Sequence, residues 1–460
     1  MKRLVCAASC SLLMLLAGCT VGPRYQKPAV NVPPGYRGQT AQEAGKVNAP
    51  SLGDEKWWTV FQDEELQKLI RTALKQSFDV RIAATRVLAS RAQLGITRAD
   101  QFPSASGTVG YTSEKIPGFG FNVMELQGSA SWNIDFWGKY RRATEAARAN
   151  LLATEWGRRA VISTVVSNVA TAYFQLREFD LELAIAQRTL ASRQESLQLT
   201  ETLANGGAAG LLDVRQAQQL VETAAESVPE LEREIQQQEN LISTLLGENP
   251  GGVPRGRKLT EQPLPPAIPA GLPSSLLERR PDIRQAEQQL IAANAEIGVA
   301  KAAYFPDISL TGTGGVESAS LASLFSGSAA AWNLVAAATQ PIFTAGRLRS
   351  DLRLSQAQEQ QALLTYEQAI QQAFRQVSDS LIAYRRYREF REHQELLATA
   401  AQDAANLSEM RYKAGATSYL EVLTNETNYF AAQLNLARAR LNERLSLVQI
   451  YNALGGGWEQ

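Results

Sequence analysis

The chain contains itself twice, and that duplication limits its possible folds more than any other feature. Displaced by 208 residues, Gly138, Val169, Gly207, Val214 and Gly247 fall on Gly346, Val377, Gly415, Val422 and Gly455. Displaced by 203, Asp79, Arg81, Ala92, Gly95 and Phe102-Pro103 fall on Asp282, Arg284, Ala295, Gly298 and Phe305-Pro306. The register changes between Pro103 and Gly138, where hairpin loops absorb insertions. Solenoid units repeat every roughly 20–50 residues. A period near 200 is instead a duplicated half-protein, with one order of elements used twice.

Long helices dominate each copy. After Gly138 the residues Val165, Val169, Ala172, Leu176, Phe179, Leu183, Ala186 and Leu190 recur at 4-3 spacing, a heptad seam. The spacing predicts one helix to Ala204, about 100 Å long at the usual rise. Asn205-Gly206-Gly207 reads as a turn. A helix returns over Leu211–Leu246, which Pro229 is expected to break or kink. In the second copy a helix runs from Gly346 to Tyr412, turns at Ala414-Gly415 and returns to Leu454. The returning seam reads Leu420, Leu423, Thr427, Phe430, Leu434, Ala437, Leu441, Arg444, Val448 and Tyr451. Upstream, Asp63 is placed to cap a helix from Glu64 to Asp100.

Short alternating stretches interrupt the helices. From Glu125 to Asp135, Gln127, Ser129, Ser131 and Asn133 alternate with Leu126, Gly128, Ala130, Trp132 and Ile134. Ser104, Ser106 and Thr108 alternate with Ala105, Gly107 and Val109 before them. One wet and one apolar face suit a strand between water and lipid. The second copy offers Asp307–Thr313 and Ser328–Phe343, the latter alternating poorly. Four strands cannot close a barrel, since about eight is the minimum, so several chains would have to contribute.

The N-terminus is a processing signal. Lys2-Arg3 precede an apolar stretch, Leu4–Leu16, too short to span a bilayer. Leu16-Ala17-Gly18-Cys19 then matches a bacterial lipobox, which makes Cys19 the acylated first residue of the mature chain. Thr20 in place of Asp favours the outer membrane. Cleavage removes Cys6 and Cys10, so no disulfide is expected, and the body must rest on its core or on oligomerisation.

Chemistry is sparse. The 46 basic and 46 acidic residues cancel, and no basic tract for nucleic acid occurs. With His393 the only histidine and no free cysteine, His/Cys metal sites and histidine-dependent triads are excluded. Gly312-x-Gly314-Gly315 lies in a strand and lacks the helix that a phosphate loop needs.

Several stretches together resemble one family, the TolC-type outer-membrane factors of efflux and secretion systems, in their lipoprotein (NodT/OprM-like) branch. They are Leu16–Cys19 with Thr20-Val-Gly-Pro23-Arg-Tyr25, Leu277-Glu-Arg-Arg280-Pro-Asp-Ile-Arg284-Gln-Ala-Glu287 and Ala302-Ala-Tyr-Phe-Pro306. With them go Gln340-Pro-Ile-Phe343 before Gly346, Arg411-Tyr-Lys-Ala-Gly415 and Tyr419-Leu-Glu-Val-Leu423. The resemblance implies a mainly α homotrimer with a small β part, in which a 12-helix α-barrel tunnel joins a 12-stranded transmembrane β-barrel. It implies a passive exit duct without cofactor, apart from the covalent lipid on Cys19. Its partners would be a periplasmic adaptor, an inner-membrane pump of the RND type and outer-membrane lipid, with no nucleic acid.

The resemblance also implies a periplasmic gate on the second hairpin, at Arg411, Tyr412, Leu420 and Glu421. A second acidic residue often follows one turn later in this family; here Thr424 stands there, leaving a single carboxylate ring. Asp213 is the first-copy equivalent of Glu421. Gly206, Gly207 and Gly415 would form the tips where the adaptor docks. The expected organisation is a signal peptide (1–18), a tether (19–62), a first repeat (63–247, hairpin 102–135), a proline-rich linker (248–280), a second repeat (281–455, hairpin 305–343) and a short tail (456–460). The alternative reading is a structural or adaptor coiled-coil lipoprotein of the periplasm. Two helical hairpins and the alternating strands speak against it.

Overall fold

The computed structural model describes residues 20–38, 51–263 and 268–459. Cys19 and the rest of the signal lie outside the described residues. The chain runs α1 (Trp57–Val60), α2 (Glu64–Gln76), α3 (Phe78–Ala99), β1 (Ser104–Ile116), β2 (Phe119–Ile134), α4 (Lys139–Asn205) and α5 (Leu211–Leu246). It continues through α6 (Pro273–Arg279), α7 (Pro281–Ala302), β3 (Asp307–Ser318), β4 (Ala330–Thr339), α8 (Arg347–Lys413) and α9 (Tyr419–Ala453). No helix among the described residues is long and apolar enough to cross a membrane.

The described residues form two compact units. One comprises 20–30, 85–156 and 284–369, and carries the strands. All four form one antiparallel sheet in the order β1-β2-β3-β4, so β2 pairs with β3 and the two copies share a sheet. The register explains why β4 alternates poorly by itself. Val109 faces Leu126, Leu126 faces Val316, and Trp132 faces Leu310, which faces Ala336. Trp332 and Leu334 join that same apolar face opposite Gly314 and Gly312. The other face carries Ser106, Ser129 and Thr313, with Asn333 opposite Thr313. In the same unit α4 packs on α7 through Ala146, Ala149, Ala292 and Ala295, small residues that let the two helices approach closely.

The second unit comprises 31–84, 157–283 and 370–459 and holds the helical hairpins. Val165, Val169, Ala172, Leu176 and Ala186 are all buried on α4, as their heptad spacing predicts. Three expectations need correction. The helix from Glu64 breaks at Ser77, whose N–H caps the end of α2 through the carbonyl of Ala73 before α3 begins. The helix α5 is not broken at Pro229 and continues to Leu246. At its start the α9 seam is displaced by one residue: Tyr419 and Val422 are buried, whereas Leu420 is 57% exposed.

Asp63 anchors this second unit. Its Oδ1 accepts the backbone N–H groups of Glu65 and Leu66 at 3.0 and 3.2 Å, capping α2. Its Oδ2 accepts Tyr173 Oη at 3.0 Å, Arg257 N at 2.9 Å and Gln262 Nε2 at 2.5 Å. One carboxylate thus joins α2, α4 and the linker. Gly256 is needed beside it, because a Cβ there would lie 2.2 Å from Asp63 Oδ1.

Candidate functional site

The α8–α9 hairpin gathers most of the residues expected at a gate. The helix α8 ends at Lys413, and the chain turns through Gly415 at φ +72°, a left-handed conformation that glycine adopts at little cost. Its N–H donates to Tyr412 O at 2.9 Å, and Ala416 N donates to Arg411 O at 2.9 Å. The α4–α5 turn uses Gly207 in the same way, at φ +78°. A Cβ on either glycine would meet nothing within 4 Å, so both tips stand open.

Arg411 and Glu421 come together across the turn, with Nη1 3.4 Å from Oε1. Thr417 Oγ1 donates to the other carboxylate oxygen. Ser418-x-x-Glu421 has the spacing of a capping box, yet Ser418 makes no side-chain cap. The carboxylate reaches back to Thr417 and across to Arg411 instead. The pair is exposed, at 58% and 36% for the two side chains, so it stabilises the hairpin by less than about 1 kcal/mol. Its charges remain available to solvent and ions.

Tyr412 packs edge-on against Tyr419, with centroids 5.2 Å apart and planes at 70°. Both rings join a cluster with Ala217, Leu220 and Val422, which ties the two hairpins together. Burial pushes the Tyr412 phenol above its ordinary pKa; the neighbouring Thr200 side chain opposes the shift and the charge of Asp213 adds to it. Asp213 accepts Gly210 N at 3.1 Å and closes the first turn of α5. Thr424 donates to the carbonyl of Leu420 at 2.8 Å. It is therefore tied to its own helix, and the Leu420 side chain projects outward. The structure thus joins Arg411 with Glu421, and Tyr412 with Asp213, while Thr424 bonds to the carbonyl of Leu420 on its own helix.

Two buried polar groups between the hairpins escaped sequence reasoning. Arg193 on α4 is 1% exposed. It donates to Leu220 O on α5 at 2.8 Å, lies 3.6 Å from Glu426 Oε2 on α9, and stacks 5.1 Å from the Phe430 ring. Glu178 and Glu182, one turn apart on α4, are each 3% exposed, and Arg438 Nε lies 3.0 Å from Glu182. Burial, then the hydrogen bond and charge of Glu182, raise the Glu178 carboxyl well above the usual range. The missed signal was positional: Arg193 and Glu182 sit among heptad residues, where a charge breaks the apolar pattern. No group of residues suited to hold a metal ion occurs among the described residues.

Long helical hairpins joined to a small sheet with one apolar face define the class of outer-membrane channel subunits. The sequence agrees, matching the outer membrane efflux protein family over residues 69–248 and 272–456. It is 36% identical over 452 residues to the cation efflux system protein CusC of Escherichia coli O6:H1, covering 97% of each chain. It is also 36% identical over 454 residues to the probable efflux pump outer membrane protein TtgC of Pseudomonas putida, covering 96% of this chain and 94% of that one. The fold superposes on the open state of the Neisseria gonorrhoeae MtrE outer membrane channel with a TM-score of 0.88 at 31% identity, over 96% of this chain and 99% of the other. The chain belongs to the outer membrane efflux protein family, and is an outer-membrane component of an efflux system that extends into the periplasm.

Proposed function

We propose that three copies of this chain form a passive duct, receiving toxic small molecules or ions from an inner-membrane pump of the RND type through a periplasmic adaptor. The observation that carries the reading is the four-stranded sheet with two unpaired edges, β1 and β4. Open edges of 13 and 10 residues would aggregate if left bare, and Val109 and Trp332 on them are 81% and 83% exposed. Pairing β4 of one copy with β1 of the next satisfies both edges. Three copies give twelve strands, above the closure minimum of about eight, with the apolar face toward lipid. The same symmetry sets twelve long helices side by side.

The hairpin ends close the duct at rest. Three copies of Glu421, held by Arg411 and Thr417, form an acidic ring that favours cations, with Tyr412, Leu420, Thr424 and Asp213 around it. The open tips at Gly206, Gly207 and Gly415 receive the adaptor. A lipid on Cys19 secures the N-terminus, and metabolic lipid labelling should disappear in Cys19→Ala. The duct itself is tested by cysteine pairs scanned along β1 and β4. Disulfide-linked trimers support the reading; chains that stay monomeric with every pair refute it.

A further inference from the structure

A cavity of about 610 Å³ opens between the middle of α4, the linker at Lys258–Thr260 and α9, well away from the hairpin tips. Its volume lies within the roughly 300–1,000 Å³ of small-molecule sites. The floor is apolar: Leu181, Ile185, Leu259, Leu436 and Ala437. Leu259 and Ala437 are almost wholly buried, at 1% and 0% exposure.

Charge at the cavity is unbalanced. Four cations, Arg177, Arg188, Lys258 and Arg440, line it against the single carboxylate of Asp180. That carboxylate is already engaged, by Arg177 at 2.6 Å and Arg255 at 3.3 Å. Arg440 is engaged by Glu395 at 3.1 Å. Arg188 donates only to the carbonyl of Ala184, at 3.2 Å. Neither Arg188 nor Lys258 forms an ion pair among the described residues. Both are exposed, and both line the cavity together with the apolar residues.

We propose that this cavity binds a small amphipathic anion, a carboxylate or sulfonate carried on a ring or short acyl chain. The apolar body would rest on Leu181, Ile185 and Leu436, and the anionic group would sit between Lys258 and Arg188. Beside apolar walls the effective dielectric is lower than in bulk water, so the attraction exceeds that of the same charges in open solvent. A neutral ligand of the same shape uses the floor and leaves both cations unused. A bound anion would bridge the linker to α4 and fix one side of the linker in place. The site is independent of the duct reading, and its test involves no transport.

The probe is 2-naphthalenesulfonate, titrated calorimetrically into the full chain in lipid nanodiscs, with empty nanodiscs as control. Naphthalene-2-sulfonamide supplies the shape without the charge. The expected result is saturable binding of the sulfonate, one per chain, at least tenfold weaker for the sulfonamide. Lys258→Glu and Arg188→Glu should each weaken it tenfold or more, Lys258→Arg should preserve it, and Ala184→Trp should block the mouth. Wild-type melting temperatures in all four variants keep loss of fold from imitating loss of site. Equal binding of sulfonate and sulfonamide, or charge variants that bind like the wild type, overturn the proposal. So does absence of saturable binding to the wild type, the outcome if a second copy of the chain covers the mouth.

Discussion

Replacing Asp63 with Asn is the sharpest test of how the helical unit is held together. The carboxylate is 1% exposed and accepts five hydrogen bonds, from both helix-capping amides and from Tyr173, Arg257 and Gln262. An amide keeps one oxygen for the cap but turns a donor toward the other three partners. Arg257 N and Gln262 Nε2 then lose their acceptor in a buried place, at about 1–3 kcal/mol each. The Tyr173 hydroxyl still accepts Gly256 N at 2.9 Å. We expect a loss of about 2–6 kcal/mol, read as a lower denaturant midpoint by tryptophan fluorescence in detergent. Tyr173→Phe, which removes one donor to the carboxylate, should cost less. The effect also depends on pH. Burial opposes the Asp63 charge, but bonds from Gln262, Leu66, Tyr173 and Arg257 outweigh it and hold the carboxyl below its usual range. A lowered folded pKa gives stability that is complete above the unfolded value, near 3.9, and lost as pH falls through the lower folded value. The gap between wild type and Asp63→Asn should therefore stay constant near neutrality and shrink below about pH 4. A loss under about 1 kcal/mol, or a gap unchanged in acid, refutes the reasoning.

Arg193→Met should destabilise by about 3–5 kcal/mol, since it leaves Glu426 without its buried partner; adding Glu426→Gln should recover part of that, as a denaturant double-mutant cycle would show. Glu178→Gln mimics the protonated carboxyl that burial favours. A raised folded pKa gives stability that is full below the unfolded value and lost as pH rises, so the variant should match wild type near pH 4 and exceed it at pH 9 in denaturant midpoint. Glu421→Lys removes an exposed pair and should cost less than about 1 kcal/mol. In planar bilayers the same change should reverse the cation preference, and unchanged selectivity would show that Glu421 faces away from the lumen.

Periodicity was legible because it repeats. The duplication, the α4 seam and the left-handed glycines at Gly207 and Gly415 each recur along the chain, and local geometry alone requires them. The β2 alternation was equally plain, whereas β4 became intelligible only when pairing set Trp332, Leu334 and Ala336 beside the apolar residues of β3. A strand's faces are defined by its neighbours, and the sequence of β4 does not contain its neighbour. The start of α9 shows the same limit: Leu420 and Tyr419 differ by one position, and packing against Tyr412 decided which is buried. At the gate, the family resemblance brought Glu421 to notice, but its pairing with Arg411 depends on how the turn at Gly415 folds. Asp63 was legible as a helix cap from the residues that follow it. Its bonds to Tyr173 and Gln262, 110 and 199 residues away, were not, because groups that distant meet only when the helices have packed.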